Sequence, residues 1–240
     1  MKASEKDNVI LMEGDIVIPN NKKTNGGVRA LAIDSVYAQN APKPTAWRLK
    51  KIPYMIKVSD YAEDQITLIR NVINNHLNSF SCLKFEEHPY NPAKTDIVEI
   101  FSGAGCYSFV GFSMNTPRKV SLDKSACMVT AMIQHELLHA AGFYHEMMRE
   151  DRDEYVRINW EHAIFSTPKF NYAVFKDTIL NEYDYQSVMH YYITNGMDNH
   201  YSMLPVQKKE PLGSHRASAL DKIGLNMVYH CKGILIVHHA

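Results

Sequence analysis

The amino-acid sequence predicts an α+β fold in two unequal parts. An N-terminal twisted sheet carries two long helices, and a mostly irregular C-terminal half closes with a helix. Three observations predict this. Strand-length apolar runs and helical periods alternate between residues 51 and 141. From residue 143 to 217, periodic segments give way to turn formers. At Ser218 a capped helical period resumes. A cleft between two such halves is a natural place for a site.

The elements follow in chain order. Residues 1–45 are polar and turn-rich, with Asn20-Asn21, Asn25-Gly26-Gly27 and Pro42-Lys43-Pro44, and Ile16-Val17-Ile18 is their strand candidate. The segment lies over another part of the chain rather than building its own core, or it is a loose terminal extension. Residues 51–58 read as the first strand of the main domain. Asp60 is placed to cap a helix over 61–79, where Ile66, Ile69, Ile73 and Leu77 share one face. Short strands are expected at 82–86 and 96–101, and a third at 106–110 after the turn Ser102-Gly103-Ala104-Gly105. A second helix spans about 126–141, with Met128, Ile133, Leu137 and Leu138 as its apolar surface. The last helix, 220–229, starts from a capping box of Ser218 and Asp221, with Asp in place of the usual Glu or Gln.

Composition narrows the function classes. At 240 residues the chain has room for one sizeable domain, or one domain with an appendage. Twenty-six basic residues balance 26 acidic ones, so nothing points to nucleic acid or an anionic membrane. Apolar runs stay far below the ~20 residues of a membrane span. Residues 1–7 lack the apolar core of a signal peptide. Cys82, Cys106, Cys127 and Cys231 allow three pairings, and the sequence alone does not choose among them. An even count at wide spacing fits two disulfides and an oxidising compartment better than four buried thiols.

The chemistry concentrates in His135-Glu136-Leu137-Leu138-His139-Ala140-Ala141-Gly142-Phe143-Tyr144-His145. On a helix, a spacing of four brings His135 and His139 onto one face, as adjacent ligands of one metal require. Glu136 projects beside them and can reach a metal-bound water without being a ligand. Gly142 can turn the chain, so that His145 swings back as a third ligand. Three nitrogens and an open position describe a catalytic rather than a structural zinc site. His162, His200 and His215 have no such surroundings and read as surface or core histidines.

The run continues Glu146-Met147-Met148-Arg149-Glu150-Asp151-Arg152-Asp153. As a whole it resembles the signature of the astacin family of metzincin zinc endopeptidases, H-E-x-x-H-x-x-G-F-x-H-E-x-x-R-x-D-R-D, at every fixed position. Ser187-Val188-Met189-His190-Tyr191 resembles the family's Met-turn. The resemblance implies an astacin-like, secreted zinc endopeptidase acting on protein or peptide substrates, with one catalytic zinc, expected as a monomer. It implies that Met189 lies beneath the metal and that Tyr191 is a zinc ligand able to swing onto the reacting carbonyl. His190 is not a ligand in this pattern. The pairings it implies are Cys82 with Cys231 and Cys106 with Cys127. The segment 106–111 resembles the cleft-lining edge strand, where an extended substrate can add as a further strand.

Met12-Glu13-Gly14-Asp15 resembles the F-x-G-D motif of astacin propeptides, with Met for Phe. By that resemblance Asp15 occupies the zinc position where water belongs. Residues 1–39 are then a propeptide, 40–231 the catalytic domain and 232–240 a short tail. An activating protease is implied, cutting near Gln39-Asn40-Ala41. The basic residue common before that cut is absent, the nearest upstream being Arg29. Glu146 would be the partner of the freed N-terminus. Two other functions are alternatives: a zinc aminopeptidase, which takes a downstream glutamate as third ligand, and a secreted, non-catalytic binding protein that keeps the fold. Activity on blocked peptides excludes the first. If Glu136 is the general base, Glu136→Gln keeps zinc and loses about 10²–10⁴-fold in turnover; a variant that still cleaves casein well would sink the assignment.

Overall fold

The computed structural model describes residues 9–12, 15–19, 46–112, 118–161, 172–175, 178, 181–192, 202–207 and 211–232. The expected cleavage region near Gln39, His162, His200 and the tail beyond residue 232 lie outside these residues. The front segment supplies two strands, β1 (Val9–Met12) and β2 (Ile16–Pro19), with Asp15 at the turn between them. There follow β3 (Lys51–Ile56), helix α1 (Glu63–His76), β4 (Lys84–Glu87), β5 (Val98–Phe101), β6 (Cys106–Phe109) and β7 (Lys119–Leu122). Helix α2 (Thr130–Ala140) ends the N-terminal half. The C-terminal half holds β8 (Val156–Ile158), β9 (Met203–Pro205) and helix α3 (Ala219–Val228).

The sheet runs β1-β2-β6-β7-β5-β3-β4. β4, β3, β5 and β7 are parallel, and β6 is antiparallel to β7. A parallel sheet must be covered by apolar surface. Ile66, Ile69, Val72 and Ile73 of α1 supply such a buried face. α2 is buried along nearly its whole length, with Ile133 and Leu137 fully enclosed. Each such side chain contributes about 1.5–3 kcal/mol when buried. Their burial therefore fixes the rotation of α2, and with it the direction in which His135, Glu136 and His139 point.

The α+β expectation holds, with local differences. Asp60 does not cap α1. It lies in a 3-10 turn, where its carboxylate pairs with Lys57 Nζ (3.0 Å) and accepts the Ser102 N–H (3.2 Å). Ala62 takes the N-cap position, and its N–H donates to Gln65 Oε1 (3.1 Å). α2 begins later than expected. The Asp123 carboxylate accepts the Ser125 and Ala126 N–H groups (2.7 and 3.2 Å) and holds those residues in a turn. β1, β7, β8 and β9, three or four residues each, are not among the strands expected from the sequence. The Ser218–Asp221 capping box is present.

Two disulfides join distant parts, Cys82–Cys231 across 149 residues and Cys106–Cys127 across 21. The first ties the region after α1 to the chain beyond α3, and the second ties β6 to the approach of α2. In the chain-entropy limit these closures are worth about 5 and about 3 kcal/mol. Replacing Cys82 and Cys231 by Ser should therefore cost more stability in urea unfolding than replacing Cys106 and Cys127. The reverse order would show that native-state strain or denatured-state structure outweighs loop length.

Candidate metal centre

The end of α2 is built to be abrupt. Gly142 has φ +111°, a conformation that side chains resist, and its N–H donates to the His139 carbonyl (2.8 Å). The late carbonyls of α2 have further donors. Gly111 N–H reaches His139 O (2.9 Å), the Trp47 indole reaches Ala140 O (2.8 Å), and the Tyr229 hydroxyl reaches Ala141 O (2.8 Å). With its end satisfied, the chain reverses and His145 returns to face His135 and His139. The three Nε2 atoms form a nearly equilateral triangle with sides of 3.1, 3.1 and 3.2 Å.

Hydrogen bonds at the other ring nitrogens set two of the tautomers. His135 Nδ1–H donates to the Val188 carbonyl (2.8 Å), and His139 Nδ1–H donates to the Phe143 carbonyl (2.7 Å). Each Nε2 is left with a free lone pair, the state a metal ligand requires. Burial, reinforced by His135 and His145, pushes the His139 imidazole well below its ordinary range, so it is neutral. Three converging lone pairs repel unless a cation lies among them. A triangle of this size suits a metal about 2.0–2.1 Å from each nitrogen.

Asp15 reaches the same point. Its Oδ2 lies 3.4 Å from His135 Nε2 and 3.2 Å from His145 Nε2, and the four side chains are a candidate metal cluster among the described residues. Burial opposes ionisation of Asp15, but His145 and His135, when they carry a proton, outweigh it and hold the carboxyl well below the usual range. Backbone pairing delivers Asp15 there. Ser108 N–H donates to Asp15 O (2.6 Å), and β2 runs parallel to β6, with Ile16 opposite Ser108 and Val17 opposite Phe109. β2 thus covers the edge of β6 that is not paired with β7.

Glu136 is buried beside the cluster. Burial and the nearby Asp15 push its carboxyl well above the ordinary range, against the pull of His145. Glu136 Oε2 and Asp15 Oδ1 are both buried without a hydrogen-bond partner among the described residues. Orphaned acceptors at a histidine cluster are what a metal and its water satisfy.

Met189 is buried, and its carbonyl accepts the Glu146 N–H (3.0 Å), which links the Met-turn segment to the residue after His145. The Tyr191 ring lies 4.8 Å from that of His145. His190 stays out of the cluster: its Nδ1–H donates to Tyr191 O (2.8 Å) and its Nε2 accepts the Tyr183 hydroxyl (2.9 Å). Burial lowers His190 to about 4, so this arrangement is neutral. Glu146 Oε1 accepts from Arg149 Nη1 (2.8 Å) and from Asp184 N–H (2.9 Å). Burial raises Glu146 to about 7 against the pull of Arg149. His215 is exposed, against Tyr192.

The sequence reading missed the groups that orient the imidazoles. Val188 and Phe143 act through backbone carbonyls, which carry no side-chain signal. Tyr183, the partner of His190, has no motif around it.

The chain is similar to known proteins in sequence and in fold. The family model described as astacin, peptidase family M12A, matches residues 39–230. High choriolytic enzyme 1 of Oryzias latipes is 32% identical over 231 residues, covering 93% of this chain and 79% of that protein. Zinc metalloproteinase nas-4 of Caenorhabditis elegans is 32% identical, with 92% and 70% covered. The solved structure of the first, a hatching enzyme zinc-protease, superposes with a TM-score of 0.68 at 31% identity, over 79% of this chain and 94% of that one. Myroilysin shares the fold, with a TM-score of 0.57 at 19% identity.

The purified chain should carry about one zinc ion. Stripping it with a chelator should lower the melting temperature, and zinc but not magnesium should restore it. Full retention of the melting temperature in the metal-free chain would argue against the triangle as a metal site.

Proposed function

We propose, from the premise that the chain belongs to the astacin family of peptidases (M12A), that it is a secreted zinc endopeptidase kept latent by its own front segment. The observation that carries the reading is the meeting of Asp15 with the three imidazoles at one point. His135, His139 and His145 would hold the zinc, with Met189 beneath it and Asp15 as the fourth ligand of the uncut chain. The two disulfides favour an oxidising, extracellular setting.

Bound zinc supplies Lewis-acid polarisation of the scissile carbonyl and brings the pKa of its water towards neutrality. The protein's own groups do the rest. β6 offers backbone hydrogen bonds to an extended substrate once β2 has left it. Glu136, with a free Oε2 in a buried setting, takes the proton of the attacking water and passes it to the leaving amine. The Tyr191 hydroxyl donates to the oxyanion as charge develops there. Burial of Glu136 and the imidazoles excludes bulk water from these transfers.

In this reading residues 1–39 are the propeptide, 40–231 the catalytic domain and 232–240 a tail. Asp15 occupies the water position while β2 occupies the substrate's edge strand, so one segment blocks both nucleophile and substrate. An activating protease cuts near residue 39. The freed α-amino group then approaches Glu146, whose raised pKa marks a buried carboxylate not fully compensated by Arg149.

Contacts to a charged group contribute about 1.5–3 kcal/mol. The uncut Asp15→Ala chain should therefore cleave a blocked peptide about 10- to 100-fold faster than the uncut parent. Unchanged latency, together with a gain after limited trypsin, would assign the block to another part of the segment. Cleavage of the blocked peptide also excludes an aminopeptidase.

A further inference from the structure

One carboxylate ties the start of α3 to the metal centre, and it does more than cap the helix. Asp221 is the third residue of α3 and is buried, with 6% exposed. Its Oδ2 accepts the Ser218 N–H (2.8 Å), and Ser218 Oγ accepts the Asp221 N–H (2.9 Å). Those two bonds complete the capping box. Two further donors come from the Met-turn segment. Val188 N–H donates to Oδ2 (2.9 Å), and the Ser187 hydroxyl donates to Oδ1 (2.6 Å). Ser187 Oγ in turn accepts the Met189 N–H (2.9 Å). On its other side, Val188 presents the carbonyl that accepts His135 Nδ1–H (2.8 Å). Val188 thus receives Asp221 on its N–H and His135 on its carbonyl.

The two oriented imidazoles differ in where their acceptors come from. The acceptor for His139 is Phe143, four residues on, and it arrives with the end of α2. The acceptor for His135 is 53 residues away, so no local geometry places it. A single buried carboxylate taking three donors is a rigid support for that segment. α3 also meets the other acceptor residue. Gly224, one turn after Asp221, lies so close to the Phe143 ring that a Cβ there would be 3.3 Å from its Cε1.

We infer that Asp221 is a positioning residue for the metal centre, holding the His135 imidazole in its ligating orientation through the Val188 peptide. This rests on the reading of His135, His139 and His145 as zinc ligands.

The test uses the full chain. Asp221→Asn preserves size but turns an amide donor towards groups that need an acceptor, so at least one of the three contacts is lost. Ser187→Ala removes the Oδ1 strut and leaves the capping box intact. Asn226→Ala is the control on the same helix: it removes bonds to Phe80 O (2.9 Å) and Lys222 O (2.8 Å), away from the Met-turn. Zinc affinity is measured by chelator competition below the melting transitions, and the coordination geometry is read from the visible spectrum of the cobalt-substituted protein. Asp221→Asn should weaken zinc about 10- to 100-fold and shift the cobalt bands. Ser187→Ala should do so to a lesser degree, and Asn226→Ala should lower stability while leaving both readouts unchanged. Wild-type zinc affinity and spectrum in Asp221→Asn would overturn the inference. So would an equal loss in Asn226→Ala, which would reduce Asp221 to a stabiliser of α3. Should Asp221→Asn fail to fold, Ser187→Ala decides: wild-type affinity there overturns the inference. A wild-type chain that binds no zinc would overturn the zinc reading, and this inference with it.

Discussion

Three imidazole nitrogens held 3.1–3.2 Å apart are the constraint on which the rest of this structure depends. Lone pairs converging at that distance repel, and a buried site offers little water to relieve the repulsion. The surrounding structure has to enforce the arrangement until a cation occupies it. Several features serve that end. Ile133 and Leu137 set the rotation of α2, Gly142 stops the helix, and Trp47 and Tyr229 satisfy the carbonyls at its end. The Val188 and Phe143 carbonyls fix two tautomers. Each shapes the histidine triangle without contributing a nitrogen to it.

In the proposed reading, the same constraint lets the front segment silence the site with little material. A cation held at that point would accept a single carboxylate as a further ligand, and Asp15 needs only two paired residues of β2 on β6 to reach it. The pairing also takes the strand edge an extended peptide would use. Edge and metal point adjoin because Gly111, just past β6, bonds the carbonyl of His139. In the proposed reading, latency and catalysis therefore draw on one short stretch of sheet edge.

Much of this was legible in the amino-acid sequence. The ligand helix, the turn at Gly142 and the return of His145 follow from residue spacing, because a helix has a fixed period and glycine tolerates positive φ. The capping box of α3 was legible for the same reason. Other features were not. Asp60 looks like a cap but is engaged by Lys57 and Ser102, and the Ser102 contact comes from 42 residues away. The strands β7, β8 and β9 are three or four residues long and exist only through their partners.

By itself, the sequence determined the chemical identity of the site. It gave which side chains can ligate, which can take a proton, and that Asp15 sits in a propeptide-like motif, since these depend on residue type and local spacing. The tertiary structure alone decided how those side chains are aimed. The orientation of His135 depends on a carbonyl 53 residues away, and that carbonyl's position on a carboxylate 33 residues further still. Backbone carbonyls are the same in every residue, so a sequence carries no mark of which one will be chosen. Only folding brings Val188 between His135 and Asp221.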